Sequence, residues 1–270
     1  MAETRGAAWR RRLYHFGRHP LAWAQYVYER EVRHRDVRFA VNPRFRDWRP
    51  MFEVALPALA HLTGAPPGRL RAYFDELAPL HRELYTAIGA LPSAGAMMQA
   101  PLLYVFVRAV RPSAVVETGV SSGYSARLLL EGLARNERGT LWSIGIQKIA
   151  VGQMPEGAVG TIVERPVGWL VPERLRSRWN LRVGASEDLL PGVLADEAKP
   201  LEIFIHDSLH LYDRMTAEYT MARPRLVPGG WLFSHDIHNN RAWPDFLSRE
   251  HLAGDEELDH DLGAVRMPAG

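Results

Sequence analysis

The feature that most constrains the fold is an alternation beginning at Ala114. From there on, short β-branched or apolar runs take turns with stretches of helical periodicity. Strands are expected at Ala114–Glu117, Thr140–Ile146, Leu181–Val183, Leu201–His206 and Gly230–His235, and Gly263–Met267 reads as a last strand. Helices are expected between them at Ser125–Asn136, Glu187–Asp196 and Leu211–Leu226. Parallel strands need a crossover long enough to hold a helix, so this alternation predicts an α/β fold with a mostly parallel sheet covered on both faces. The stretch after Ile146 breaks the rhythm, with Pro155, Gly157, Gly160 and Pro166.

The part before Ala114 reads as helical. Leu70, Tyr73, Phe74, Leu77, Leu80 and Leu84 recur at i, i+3, i+4 spacing after the Pro66-Pro67-Gly68 turn, and a further helix is expected over Gln99–Val110. Residues 1–50 mix Trp9, Leu13, Phe16, Trp23, Tyr26, Val27 and Val32 with many arginines, and Asn42-Pro43 and Arg49-Pro50 are expected to interrupt any helix there. The division expected is a helical extension over 1–95, acting as a lid or a dimer interface, and a catalytic domain over 96–270.

Of the 270 residues 47% are hydrophobic, enough for a sizeable core, and the net charge of +2 does not mark a nucleic-acid binder. Arginine carries almost all the positive charge, as expected of a GC-rich bacterial source. The chain has no cysteine, which excludes disulfides, thiolate zinc sites and a cysteine nucleophile. The arginines near the N-terminus precede no apolar run, so no signal peptide is expected. No run approaches the ~18 apolar residues of a membrane span. The expected location is the cytoplasm.

The most informative local pattern is Val115-Val116-Glu117-Thr118-Gly119-Val120-Ser121-Ser122-Gly123-Tyr124-Ser125. A buried strand ends in an acid, and a glycine-rich turn then opens a helix. In open α/β sheets ligands bind beyond the carboxyl ends of the strands. The Glu-x-Gly-x-x-x-Gly spacing is neither the dinucleotide fingerprint nor a phosphate loop, which disfavours a nicotinamide-dependent dehydrogenase. A side chain added at Gly119 is expected to enter the ligand's space.

Further patterns follow in order: Gly184-Ala185-Ser186-Glu187-Asp188, Ile203-Phe204-Ile205-His206-Asp207-Ser208-Leu209-His210, Leu226-Val227-Pro228-Gly229-Gly230-Trp231 and Ser234-His235-Asp236. Together with the first turn they resemble the class I S-adenosylmethionine (SAM) methyltransferases. The branch is that of small-molecule O-methyltransferases related to catechol and macrocin O-methyltransferases. The resemblance runs from about Val115 to Phe246 and implies a Rossmann-like sheet. It also implies a cofactor site drawn from Glu117, Gly119, Ser121, Gly123, Ser125, Ile146, Ser186 and Glu187. One departure stands out: the family places a ribose-binding acid where this chain has Gly145, with Gln147 as a possible substitute.

In metal-dependent relatives, acids at the positions of Asp207 and Asp236 bind Mg²⁺, and the resemblance places a general base at His210. Here His235 and His238 adjoin the second acid. Imidazole ligands would shift preference toward Mn²⁺, Fe²⁺ or Zn²⁺. Caps for the following helices are the simpler reading of the two acids. Tyr212 and Glu218 lie on the next expected helix, and one of His238, Asn239 and Asn240 is a candidate to complete the site. The function expected is metal-dependent methylation of a hydroxyl on a sugar or phenolic natural product. Two alternatives keep the fold: a repurposed protein with weak or no SAM use, suggested by Gly145, and an RNA methyltransferase, suggested by the basic N-terminus. The N-terminal helices are also where a homo-oligomer is expected to form, with no membrane partner.

Overall fold

The computed structural model describes residues 47–88, 97–146, 166–198 and 200–269. The arginine-rich segment before them, Asn42-Pro43 and Gln147 lie outside the described residues.

The chain enters through three helices, α1 (Arg49–Thr63), α2 (Pro67–Asp75) and α3 (Ala78–Ile88), followed by α4 (Ala100–Val110). Arg49-Pro50 does not interrupt α1 but opens it. Pro50 stands in the first turn, where its missing N–H has no intrahelical partner to lose. Gly64 ends α1 in the left-handed region (φ 66°) and donates its N–H to Ala60 O.

The α/β part follows as β1 (Ala114–Thr118), α5 (Tyr124–Arg135), β2 (Thr140–Gly145), β3 (Trp179–Val183), α6 (Ser186–Gly192), β4 (Leu201–His206), α7 (Tyr212–Ala222), β5 (Leu226–His235), α8 (Ala242–Arg249), β6 (Glu256–Glu257) and β7 (Leu262–Arg266). The seven strands form one sheet in the order β3-β2-β1-β4-β5-β7-β6. Strands β1 to β5 pair in parallel, and β7 runs antiparallel to both β5 and β6. α6 is shorter than expected: Pro191 lies inside it and the chain passes into a π turn over Val193–Glu197.

Two cores flank the sheet. One gathers Phe52, Leu59, Leu70 and Phe74 of the leading helices with Phe106 of α4, Leu129 of α5 and the inward faces of Val115, Ile203 and Phe233. The other gathers Val116, Phe204 and Leu232 with Met215 and Tyr219 of α7 and Phe246 of α8. Alternate residues of β1 and β5 go to opposite cores, as the two-residue period of a strand requires.

Register fixes where the site forms. Thr118 pairs with His206, and His206 with Ser234, so these three positions of β1, β4 and β5 lie level. The next residues, Gly119, Asp207 and His235, therefore emerge side by side.

Candidate active site

Asp207 follows β4, His210 stands in the turn after it, His235 closes β5 and Asp236 comes next. Asp236 holds a left-handed backbone (φ 55°), which an L side chain seldom adopts without compensation. His235 Nδ1 is 2.8 Å from Asp207 Oδ1. His210 Nε2 is 3.6 Å from the same oxygen, and its Nδ1 is 3.3 Å from Asp236 Oδ2. The two imidazoles lie 5.4 Å apart, centroid to centroid, edge to face. One donor atom each from Asp207, His210 and His235 falls within 4.8 Å of the others.

These contacts are close, and His235 Nδ1 and His210 Nε2 are both buried beside Asp207. The His235 imidazole and the Asp207 carboxylate, 2.8 Å apart, are a mixed nitrogen and oxygen donor pair of a kind that suits a cation. Without a cation, a proton on His235 bridges the pair. Burial by itself would raise Asp207, but His235 and His210 hold it below the usual aspartate range. Burial would lower His235, yet the charge of Asp207, with smaller effects of Asp236 and Asp261, pushes it up to about 9.

His238 does not join them. It faces Glu257, with Nε2 3.2 Å from Oε1. Asn240 serves as a brace: Nδ2 donates to His210 O at 3.2 Å, and Oδ1 accepts from Ala242 N at 2.8 Å at the start of α8.

Two buried carboxylates lie beneath these strand ends, one on each face of the sheet. Glu117 accepts from Ser125 Oγ (2.9 Å) and Ser143 Oγ (2.7 Å), which occupy both its oxygens. It is buried, and these bonds tie β1 to β2 and to the start of α5. Glu218, on α7, accepts from Thr118 Oγ1, from His206 Nδ1 at 2.7 Å and from Ser208 Oγ at 2.7 Å. Sequence reasoning placed Glu218 only on the helix. Its role emerges from pairing with Thr118 and His206, which meet across the β1–β4 register.

The glycine-rich turn sits beside the cluster. Gly119 (φ 90°) needs to be glycine for a different reason from the one expected. A Cβ there would stand 1.9 Å from Asp207 O, inside the neighbouring strand end and not in ligand space. Gly123 (φ 84°) is pressed by Gly168, 2.8 Å from where its Cβ would be. The segment after Pro166 lies along the turn, with Gly168 N donating to Ser121 O and Leu170 N to Ser122 O. Ser121 itself is exposed and has φ 44°. α5 starts with Gly123 as its N-cap and no side-chain cap, leaving a helix N-terminus suited to an anionic group. Of the other expected cofactor residues, Ile146 is exposed at the end of β2. Ser186 hydrogen-bonds Glu218. Glu187 is tied to Arg214 at 2.7 Å.

Residues 116–237 match the protein family described as "Methyltransferase domain". The matched stretch, under half of the chain, is similar to methyltransferase domains. Among solved structures, an O-methyltransferase from Bacillus cereus in complex with SAH is 15% identical, with 72% of this chain and 90% of that one covered at a TM-score of 0.50. The O-methyltransferase NovP is 20% identical over 66% of this chain and 84% of its own, with a TM-score of 0.48. TomG, an O-methyltransferase from Streptomyces achromogenes, is 17% identical over 73% and 90%, with a TM-score of 0.46. No curated protein matches the sequence. The Bacillus cereus enzyme shares the fold, and the Asp207–His210–His235 group sits at the carboxyl ends of β4 and β5, within the matched residues. Among the described residues no helix is long and apolar enough to cross a membrane.

Proposed function

We propose that this methyltransferase domain is a SAM-using, divalent-metal-dependent O-methyltransferase acting on a small-molecule hydroxyl. The observation that carries the reading is the convergence of Asp207 and His235 beside the glycine-rich turn, with His210 next to them.

The turn from Gly119 to Gly123 and the open N-terminus of α5 suit the methionine end of SAM, whose carboxylate an uncapped helix start would receive. Bound SAM would supply an electrophilic methyl group, and a divalent cation would polarise the acceptor hydroxyl and lower its pKa. Asp207, Asp236 and His235 are the residues that would hold the cation. The imidazole favours Mn²⁺, Fe²⁺ or Zn²⁺ over what two carboxylates alone would select. His210 is assigned as the general base. Asp236 orients its Nδ1, which leaves Nε2 free to take the hydroxyl proton. Asn240 holds the His210 backbone, and Glu218 fixes the strand ends through Thr118, His206 and Ser208. Positioning of the two reactants would account for much of the acceleration.

Leu211 and Tyr212 follow His210 and expose apolar surface at 40% and 43%. That surface favours an acceptor with an aromatic or otherwise apolar body, such as a phenolic natural product.

The test is methyl transfer from labelled SAM to a panel of phenolic and sugar hydroxyls, with and without a chelator. The expected result is transfer that chelation abolishes and Mn²⁺ restores. Transfer indifferent to chelation would remove the metal from the account. His210→Ala should lower kcat by about 10²–10⁴-fold with Mn²⁺ affinity unchanged. Loss of Mn²⁺ affinity instead would make His210 a ligand and not the base.

A further inference from the structure

The amino ends of β4 and β5 and the last residue of β7 border a cavity of about 460 Å³. Thr63, which ends α1, and Val110, which ends α4, complete its wall. The cavity lies away from the Asp207–His235 pair. Trp231, on its wall, and His235 are four residues apart on β5 (235 − 231), roughly 13 Å at ~3.3 Å per residue. A register slip opens the space. Leu201 pairs with Leu226 and Ile203 with Trp231, so two steps along β4 answer five along β5 (203 − 201 and 231 − 226). The surplus chain of β5 bulges from the ladder, and Val227 within it faces the cavity along with Val110.

Arg266 also lines the cavity, held as an anion receptor would be. Its Nε donates to Gly229 O at 3.1 Å, and its guanidinium lies over the Trp231 ring, 5.2 Å from the centroid. Those two contacts fix the plane of the fork. Among the described residues its Nη atoms meet no acceptor and no acid pairs with it. A Cβ at Gly229 would stand 3.4 Å from Nη2, so the glycine keeps the approach to that end of the fork clear. A guanidinium held this way suits a carboxylate, through two parallel N–H···O bonds. Glu202 lines the same cavity, and its Oε2 accepts from Ser113 N and from Ser113 Oγ at 2.8 Å. That anchored carboxylate disfavours a ligand with two negative charges, such as a phosphate ester. The volume is that of a site for a small organic molecule.

We propose that this cavity is a binding site for a small apolar monocarboxylate, whose carboxylate Arg266 receives and whose body packs on Val110 and Val227. The site is separate from the Asp207–His235 pair and does not rest on the reading that the chain binds SAM. Hydrogen bonds to a charged group contribute on the order of 10-fold or more to affinity, so the role of Arg266 is measurable.

The experiment is calorimetric titration of the full chain with hydrocinnamate and with hydrocinnamyl alcohol, which keeps the body and removes the charge. The expected result is hydrocinnamate bound at one site, about tenfold or more tighter than the alcohol. Arg266→Gln should weaken hydrocinnamate by about tenfold or more. Val110→Phe, which keeps Arg266 and fills the cavity, should weaken it as well, with circular dichroism confirming that both variants are folded. Asp207→Ala should bind it as the wild type does. No binding by the wild type, equal affinity for the alcohol, or unchanged affinity in Arg266→Gln would overturn the inference. Loss of binding in Asp207→Ala with Arg266→Gln unaffected would put the carboxylate at the other end of the sheet and overturn it too.

Discussion

Glu117 and Glu218 occupy matching places on opposite faces of the sheet, and their donors set them apart. Glu117 meets two neutral hydroxyls, and burial outweighs them, pushing its carboxyl up to about 7. At Glu218 burial acts the same way, but hydrogen bonds from His206, Ser186 and Thr118 hold it below the usual glutamate range. The sign for Glu117 follows from linkage. A carboxyl raised in the folded state binds its proton more tightly there than in the unfolded chain, whose value is near 4.5. Stability from this group is therefore full below pH 4.5 and is lost as pH rises toward 7, by about 3 kcal/mol. Glu117→Gln should remove that slope, so the variant gains on the wild type between those pH values in urea denaturation. Parallel curves would mean Glu117 is already ionised. Sequence alone showed an acid at a strand end and suggested ligand contact. It did not show that Ser125 and Ser143 fill both oxygens, because Ser143 reaches Glu117 only through the β1–β2 pairing. Gly119 was likewise legible as an obligatory glycine but not for its reason, since Asp207 O lies 88 positions away in sequence (207 − 119).

The elements were legible wherever periodicity was uninterrupted. β1, β2, β4 and α4 fall within a residue or two of expectation. Proline positions misled in both directions: Pro50 starts a helix, and Pro191 stands inside α6 just before the π turn. β6 has two residues and no pattern of its own, and it exists only because β7 returns beside it. The element that matters most to the site is α7, which delivers Glu218 to Thr118, His206 and Ser208. Glu218→Ala would leave two buried groups, Thr118 and His206, and the part-buried Ser208 without their acceptor and should destabilise by about 3 kcal/mol or more, read by urea unfolding. Glu218→Gln, which keeps an acceptor oxygen, should cost less than half as much. A loss under about 1 kcal/mol for Glu218→Ala would mean that solvent or a neighbour replaces the carboxylate.

At the scale of the molecule, the described part of the helical extension expected over 1–95, residues 47–88, shares one core with the domain expected over 96–270. Phe52 stacks on Phe74 with centroids 4.2 Å apart, and both belong to the core that includes Phe106, Val115 and Phe233. Arg127 of α5, almost fully buried, reaches Glu83 of α3 through two hydrogen bonds of 3.0 Å. We propose that the leading helices are part of the catalytic unit and not a detachable lid. A chain starting at residue 97 should lose its cooperative thermal transition, and retention of one would establish an independent domain. The alternation of strands and helices gave away the parallel sheet and its two covered faces. Strand order, and the reversal of β7, depended on pairings that no local pattern encodes.

We propose that the carboxyl ends of β4 and β5 form a divalent metal site. The most direct measurement is calorimetric titration of Mn²⁺ into the wild type and Asp207→Ala, with circular dichroism confirming that both are folded. One Mn²⁺ per chain in the wild type, lost in Asp207→Ala, is the predicted result. Equal binding by both proteins, or none by the wild type, would contradict it.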